Sequence, residues 1–273
     1  MKQLFITDLD GTLLTPDGIV SPKSAEIISQ LSSKGIAITV ATARTPATVE
    51  PLLANTVTTI PAIVLTGAAL WDRQNKQYLV TKFFSESLAL SAWSCLKQFQ
   101  LRPFVYILGD DDTTLHTHFC GVPTIIEQKF INERTGNPLK QIHVSATPTP
   151  PNKRTMLLFA IGEKQPILKA AEELRAKGCS VSAYPDNYTP NTYFIEVFAP
   201  GVSKASAVKQ LKQLLKADKI CVFGDNLNDL PMMQVSDTAV AVGNALDQVK
   251  QQADIVIGDN TTDSVAIYIQ QHC

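Results

Sequence analysis

The first eighty residues alternate short, unbroken apolar runs with stretches in which apolar residues recur every three or four positions. Residues 2–9 (KQLFITDL), 36–42 (IAITVAT) and 62–66 (AIVLT) are dominated by aliphatic and β-branched side chains, as strands buried on both faces of a parallel sheet are. Between the first two, Ser21 and Pro22 make a cap and first-turn pair. Ile27, Ile28 and Leu31 then form one apolar face, and Gly35 marks the stop. Pro46 opens a second helix. The last third repeats the alternation. A helix is predicted over 203–216 with Val208, Leu211, Leu214 and Leu215 inward. Strands follow at 219–225 (KICVFGD), 238–243 (TAVAVG) and 253–258 (ADIVIG), with a short helix after 225 and helices near 245–252 and 262–271. Two such blocks predict an α/β fold, a doubly wound, mostly parallel sheet with helices on both faces.

The middle reads differently. Predicted helices at 85–100 and 166–177 stand among strand-like runs: FVYIL, TTLHTHF, QIHVSA, TMLLFAI (155–161) and 179–184. A Pro-rich turn, TPTPP, lies at 147–151. Few helices with runs of strands suggest a small α+β domain with a largely antiparallel sheet. The simplest organisation is a core made of 1–83 and 191–273, interrupted by an inserted α+β cap at 84–190. No internal repeat breaks this picture.

Composition narrows the function. With 273 residues, 45% hydrophobic and 18% charged, the chain can build a well-buried core. Its net charge of −1 argues against nucleic acid or an anionic membrane surface as partner. A small anionic substrate must then be drawn in by a local site. The five cysteines are Cys95, Cys120, Cys179, Cys221 and Cys273. They are odd in number and form no Cys-x-x-Cys pair, which fits reduced thiols and offers no cysteine zinc site. Asp8 and Asp10 interrupt the apolar run that a signal peptide needs, and no uncharged stretch approaches the roughly 20 residues of a membrane span. A cytoplasmic protein is expected. The sequence does not set its oligomeric state.

Four segments carry candidate chemistry. In DLDGTLL (8–14), Asp8 and Asp10 leave the end of the first strand towards one region, where open α/β sheets bind ligands. Gly11 permits a tight backbone departure. Two carboxylates so close resist joint ionisation unless a cation or proton holds them. Asp and Gly also make ordinary turns, but the apolar strand before them favours a sheet-end site. GDNLND (224–229) follows a second strand in the same manner. Asp225 beside Asp8 would make a half-site for a hard cation such as Mg²⁺; an Asn/Asp helix cap is the plain alternative. In ATAR (41–44), a Thr hydroxyl and backbone N–H groups at a strand-to-helix junction can bind phosphate oxygens, and Thr can equally be a simple cap. Lys204 opens a helix, where the dipole disfavours a cation, a placement that makes sense if an anion sits there.

In this order, DLDGTLL, ATAR, the Lys of GVSKASA (201–207) and GDNLND resemble the motifs of the haloacid dehalogenase-like (HAD) superfamily, and within it the Cof-type phosphatases with a type IIB cap. AVGNA (241–245) and ADIVIG resemble that subfamily's C-terminal run. The resemblance implies a Mg²⁺-dependent phosphatase of small phosphorylated metabolites, such as sugar phosphates, flavin mononucleotide or pyridoxal phosphate. It implies Asp8 as the nucleophile that becomes an aspartyl-phosphate and Asp10 as general acid and then base. Asp8, Asp10 (through its carbonyl) and Asp225 would hold Mg²⁺, and Asp229 would support them from behind. Thr42, Ala43, Lys204 and Asn228 would bind the phosphoryl group. Three positions depart from the family pattern: Ala43 replaces Gly, Thr66-Gly67 replaces Asn-Gly, and Asp263-Ser264 replaces Asp-Gly.

A phosphomutase shares the aspartyl-phosphate, and a non-catalytic phosphometabolite-binding protein shares the fold; the full set of carboxylates argues against the second. Halide displacement has no need of Asp10 or a metal. The cap is expected to choose the leaving group, with Asp110, Asp111, Asp112, His116, His118 and Tyr188 as candidates. The aspartates read equally well as a hairpin turn and the histidines as one strand face.

Overall fold

The computed structural model describes residues 2–186 and 189–273. The chain runs β1 (Gln3–Thr7), α1 (Pro22–Ser33), β2 (Ala37–Val40), α2 (Pro46–Leu52), β3 (Ala62–Val64), β4 (Ala69–Asp72) and β5 (Gln77–Thr81). It continues through α3 (Glu86–Gln98), β6 (Phe104–Leu108), β7 (Leu115–Cys120), α4 (Ile125–Asn132), β8 (Lys140–Ser145), β9 (Thr155–Glu163), α5 (Lys164–Ala176), β10 (Ser180–Pro185) and β11 (Thr192–Phe198). It ends with α6 (Lys204–Leu215), β12 (Lys219–Gly224), α7 (Leu230–Met233), β13 (Thr238–Ala241), α8 (Asp247–Gln252), β14 (Ile255–Val256) and α9 (Ser264–His272). Two compact units result, Met1–Val80 with Ser203–Cys273, and Thr81–Val202.

In the first unit the sheet order is β14-β13-β12-β1-β2, parallel throughout. A parallel bridge from Ala41 to Ile63 joins β3 beyond β2. Leu4, Phe5 and Ile6 of β1 are fully buried, as expected of a central strand covered on both faces. The chain leaves β1 towards β2 and later returns on β1's other side as β12. That reversal opens the crevice outside the carboxyl ends of β1 and β12. Helix α1 starts as read, with Ser21 accepting from the Ser24 amide at 3.0 Å and Pro22 in the first turn. Asp263 accepts from the hydroxyls of Ser21 and Ser24 and so ties α1 to the start of α9. In α6 the buried face is Lys204, Ala207, Val208 and Leu211. Leu214, read as inward, is 55% exposed, in a last turn that ends at left-handed Lys216 (φ 49°) and lies off the buried face. A small sheet, β3-β4-β5, was not read from the sequence beyond its first strand.

The second unit holds a six-stranded sheet, β10-β11-β9-β6-β7-β8. All pairs are antiparallel except β7 with β8. Its limits differ from the sequence boundary at 190. Strand β11 pairs with β10 on one side and β9 on the other, so TYFIEVF is an interior strand of this sheet. Helix α4 was also missed, although Thr124 and Glu127 form a reciprocal capping box at its start, a signal legible as T-x-x-E. Phe104, Phe119, Phe130 and Phe159 pack ring to ring, with centroids 4.4–5.9 Å apart. Among the described residues no helix is long and apolar enough to cross a membrane.

Candidate active site

The site is built at the reversal between β1 and β12. The Asp8 amide donates to the Phe223 carbonyl at 3.0 Å, which extends the β1–β12 ladder by one residue and sets Asp8 at the sheet's edge. Asp8 is buried. The backbone then turns at once, through Asp10 (φ −74°, ψ 118°) and Gly11 (φ 79°). Gly11 is required twice over: its φ is left-handed, and a Cβ there would run into Asp225 Oδ2. Thr12, not counted among the candidates, donates its hydroxyl to Asp225 Oδ1 at 2.8 Å and so links the two acidic loops.

Asp8, Asp225 and Asp229 each place a carboxylate oxygen within 4.8 Å of the other two. Lys204 Nζ donates to Asp8 Oδ1 at 2.5 Å and to Asp229 Oδ1 at 2.7 Å. The lysine and Asp229 are buried to 2% and 0% exposure. Asp229 Oδ2 accepts from the amides of Asp225 and Asn226 at 3.1 and 3.2 Å. Asp229 thus braces the loop and the lysine, with both oxygens already engaged.

The electrostatics follow from crowding. Burial pushes the Asp8 carboxyl up; Lys204 opposes the rise, and Asp229 and Asp225 add to it. Burial likewise lifts Asp225, to about 6, against the Thr12 hydrogen bond. For Lys204, burial favours the neutral amine, but Asp8 and Asp229 outweigh it and hold the ammonium above its ordinary range. Two buried carboxylates and the half-buried Asp225 face one cation, so the cluster retains uncompensated negative charge. The surplus and the all-oxygen donors suit a hard divalent cation.

The remaining candidates fall around this centre. Thr42 is buried just beyond β2, where the Ala41 amide reaches the Thr7 carbonyl at 2.8 Å. Its hydroxyl accepts from the Arg44 amide at 3.1 Å. Ala43 is half-buried on the same turn. Asn228 is exposed in the 226–229 loop and is not drawn into the carboxylate cluster. The Asp10 side chain is 55% exposed and turns to Arg44, whose Nε and Nη2 donate to its two oxygens at 2.8 and 2.6 Å. Arg44 was quoted within ATAR but given no role, since spacing alone does not show which way a long side chain reaches. Asn244, in AVGNA, donates to the Gly11 carbonyl at 2.7 Å and accepts from the Asn260 amide at 2.9 Å, pinning the turn from behind. At the departure from the family pattern, Leu65, Thr66 and Gly67 all have positive φ (52°, 56° and 96°). A Cβ on Gly67 would strike the Ser203 carbonyl, so this loop packs directly against the residue that caps α6.

In the second unit, Asp111 forms the predicted turn: it accepts from the amides of Thr113 and Thr114, both at 3.0 Å, and these bonds hold it below the usual carboxylate range against its slight burial. Asp110 and Asp112 pair with Arg154. Tyr188 lies outside the described residues.

Two carboxylate loops and a buried lysine thus converge at the reversal of a parallel sheet. A family model described as haloacid dehalogenase-like hydrolase matches residues 5–269, and the chain belongs to that family. It is 28% identical to the pyridoxal phosphate phosphatase YbhA of Escherichia coli, over 97% of this chain and 96% of that protein. It is 27% identical to the HMP-PP phosphatase of Serratia proteamaculans, over 99% and 95%. Among solved structures, a haloacid dehalogenase-like hydrolase from Bacteroides thetaiotaomicron superposes with a TM-score of 0.78 at 20% identity, covering 99% of both chains. The HAD subclass IIB sugar phosphatase BT4131 gives 0.73 at 17%, covering 99% of this chain and 98% of that one. These likenesses concern the fold.

Proposed function

We propose that this chain is a Mg²⁺-dependent phosphatase of small phosphorylated metabolites that works through an aspartyl-phosphate on Asp8. The observation that carries the reading is the Asp8 carboxylate: buried, bonded to Lys204, and within 4.8 Å of two further carboxylates. Asp8, Asp225 and the Asp10 carbonyl are the groups proposed to hold Mg²⁺, with Asp229 behind them. When bound, the cation offsets charge on the phosphoryl oxygens.

The chain's own residues do the rest. An Asp8 oxygen attacks phosphorus in line, the ester P–O bond breaks, and Asp10 hands its proton to the departing oxygen. Asp10 then takes a proton from water as that water attacks the aspartyl-phosphate, and inorganic phosphate leaves. Lys204 stabilises charge on the equatorial oxygens, and the Thr42–Ala43 turn and Asn228 are proposed to seat the phosphoryl group. In this structure both Asp10 oxygens accept from Arg44; to carry its proton Asp10 frees one oxygen while the other stays held. All these groups lie in the first unit; choice of the leaving group is proposed as the role of the second.

The test is p-nitrophenyl phosphate hydrolysis with and without Mg²⁺. Wild type should release phosphate, EDTA should stop turnover, and Asp8→Asn should lose it while keeping its fold. Activity of Asp8→Asn at the wild-type level would sink the nucleophile. A panel including pyridoxal phosphate and sugar phosphates, scored by phosphate release and kcat/KM, names the substrate. Isomerised substrate without phosphate release would indicate a mutase instead.

A further inference from the structure

Three of the chain's four histidines stand together on one face of the second unit's sheet. His116 and His118 lie two residues apart on β7, so both point to the same side. Their neighbours Leu115, Thr117 and Phe119 are buried on the other side. On β8, His143 sits directly opposite His118 in the parallel register. His116 and His118 are half-buried and His143 is exposed. The three rings form a triangle, with centroids 5.3 Å apart for His116 and His143, 4.8 Å for His118 and His143, and 6.4 Å for His116 and His118. His116 Nδ1 and His143 Nε2 are 3.0 Å apart.

We propose that His116, His118 and His143 form a binding site for a late first-row divalent cation, Zn²⁺ above all, separate from the carboxylate site in the first unit. Two imidazole nitrogens bound to one tetrahedral Zn²⁺ at about 2.0–2.1 Å each stand roughly 3.3 Å apart. The His116–His143 pair needs only a few tenths of an ångström to reach that spacing. The proton now between these nitrogens moves to the far nitrogen of its own ring, so a neutral pair loses none. The rings are within 31° of parallel, so their lone pairs do not yet converge. His118 must turn about its side-chain bonds to become the third ligand. Three nitrogen donors select Zn²⁺, Ni²⁺ or Cu²⁺, whereas the carboxylate cluster favours a hard cation such as Mg²⁺. Cys120 shares the face, but its thiol is directed to the Ala146 carbonyl at 3.5 Å.

The test is a Zn²⁺ titration of the full chain in excess Mg²⁺, followed by calorimetry and by the imidazole ¹⁵N resonances. The expected result is metallation shifts at His116, His118 and His143 and none at His272, the histidine of α9. His143→Ala, an exposed change, should weaken this Zn²⁺ by at least about 100-fold, since even supporting residues of metal sites count for 10–100-fold. The resonances of the unmodified protein serve where a variant misfolds. Absence of shifts at all three rings would overturn the site. Zn²⁺ binding unchanged in His118→Ala, or shifts confined to His116 and His143, would overturn the three-histidine assignment.

Discussion

Lys204 in the first unit and Lys140 in the second are both buried, 2% and 4% exposed, and their surroundings treat the charge in opposite ways. Lys204 meets two carboxylate oxygens within 2.7 Å, which hold the ammonium charged despite its burial. Lys140 donates to the Tyr106 hydroxyl at 3.1 Å and lies over the Tyr106 ring, 4.5 Å from its centroid. Among the described residues no carboxylate pairs with it; burial, and then Arg134, push its amine down to about 7. One lysine is part of a polar cluster that remains over-supplied with negative charge. The other is a long side chain filling an aromatic core beside Phe130. Burial alone therefore does not mark a functional lysine; a buried lysine among surplus carboxylates does, because that arrangement is costly without a ligand.

The largest effect should come from breaking the first environment. Lys204→Met leaves Asp8 and Asp229 buried without their cation, a loss of about 3–5 kcal/mol for a severed buried pair. In the proposed mechanism it also removes a donor to developing charge, worth about 10²–10³ in kcat. Denaturant unfolding and p-nitrophenyl phosphate turnover measure the two parts. Stability within 1 kcal/mol of wild type would mean that the pair is not a unit.

The carboxylates themselves give the next effect, and its sign can be derived. The folded-state values of Asp8 and Asp225 lie above the ordinary 3.8. Between about pH 4 and the raised values the folded chain holds protons that the unfolded chain has lost. The metal-free protein therefore loses stability as pH rises through that window. Mg²⁺ competes with those same protons, so its stabilising effect should grow from pH 5 to pH 7.5, by about 2 kcal/mol. Melting curves with and without Mg²⁺ at the two pH values test this. A Mg²⁺ gain that shrinks with pH contradicts it.

Lys140 inverts the sign. Its folded value is below the unfolded one, so between about pH 7 and 10 the unfolded chain holds the extra proton and stability rises with pH. At pH 7 and below, the buried charge carries its full penalty. Lys140→Met should therefore stabilise the protein at pH 6.5, by about 2 kcal/mol after loss of the Tyr106 hydrogen bond. The gain should fade towards pH 10. A stabilisation independent of pH would show that packing, not charge, sets the difference between the two lysines.

The two units were also unequally legible in sequence. In the first, continuous apolar strands announce a parallel sheet, and the carboxylates follow those strands directly, so Asp8 and Asp225 could be placed beside one another before any geometry was known, while the place of Asp229 came only from the family resemblance. Arg44, Thr12 and Asn244 could not, because their contacts depend on how loops from separate strands fold over the sheet end. In the second unit, helix α4 is short and β11 lies next to the chain's return to the first unit, so neither stood out against a motif-defined boundary. His116 and His118 showed only a strand alternation, and nothing in the sequence linked His143 to them; the register that sets His118 against His143 is a tertiary fact.

Arg44 supplies the smallest effect and a third point on the scale, a cation that is neither buried nor isolated. Its guanidinium holds both Asp10 oxygens, yet its side chain is 34% exposed and that of Asp10 is 55% exposed. An ion pair so open to water contributes about 1 kcal/mol or less to stability, so Arg44→Met should leave the melting temperature nearly unchanged. Its consequence should be kinetic. In the proposed mechanism Asp10 must stand at a fixed place for proton transfer, and a bidentate partner fixes direction as well as distance. Loss of that partner should lower kcat about 10-fold with a smaller change in KM, since misplacing a reacting group is felt mainly in the chemical step. Arg44→Lys, which keeps the charge but not the fork, should recover only part of the rate. Full recovery by lysine would show that charge alone is needed there. A KM effect larger than the kcat effect would move Arg44 from holding Asp10 to holding substrate.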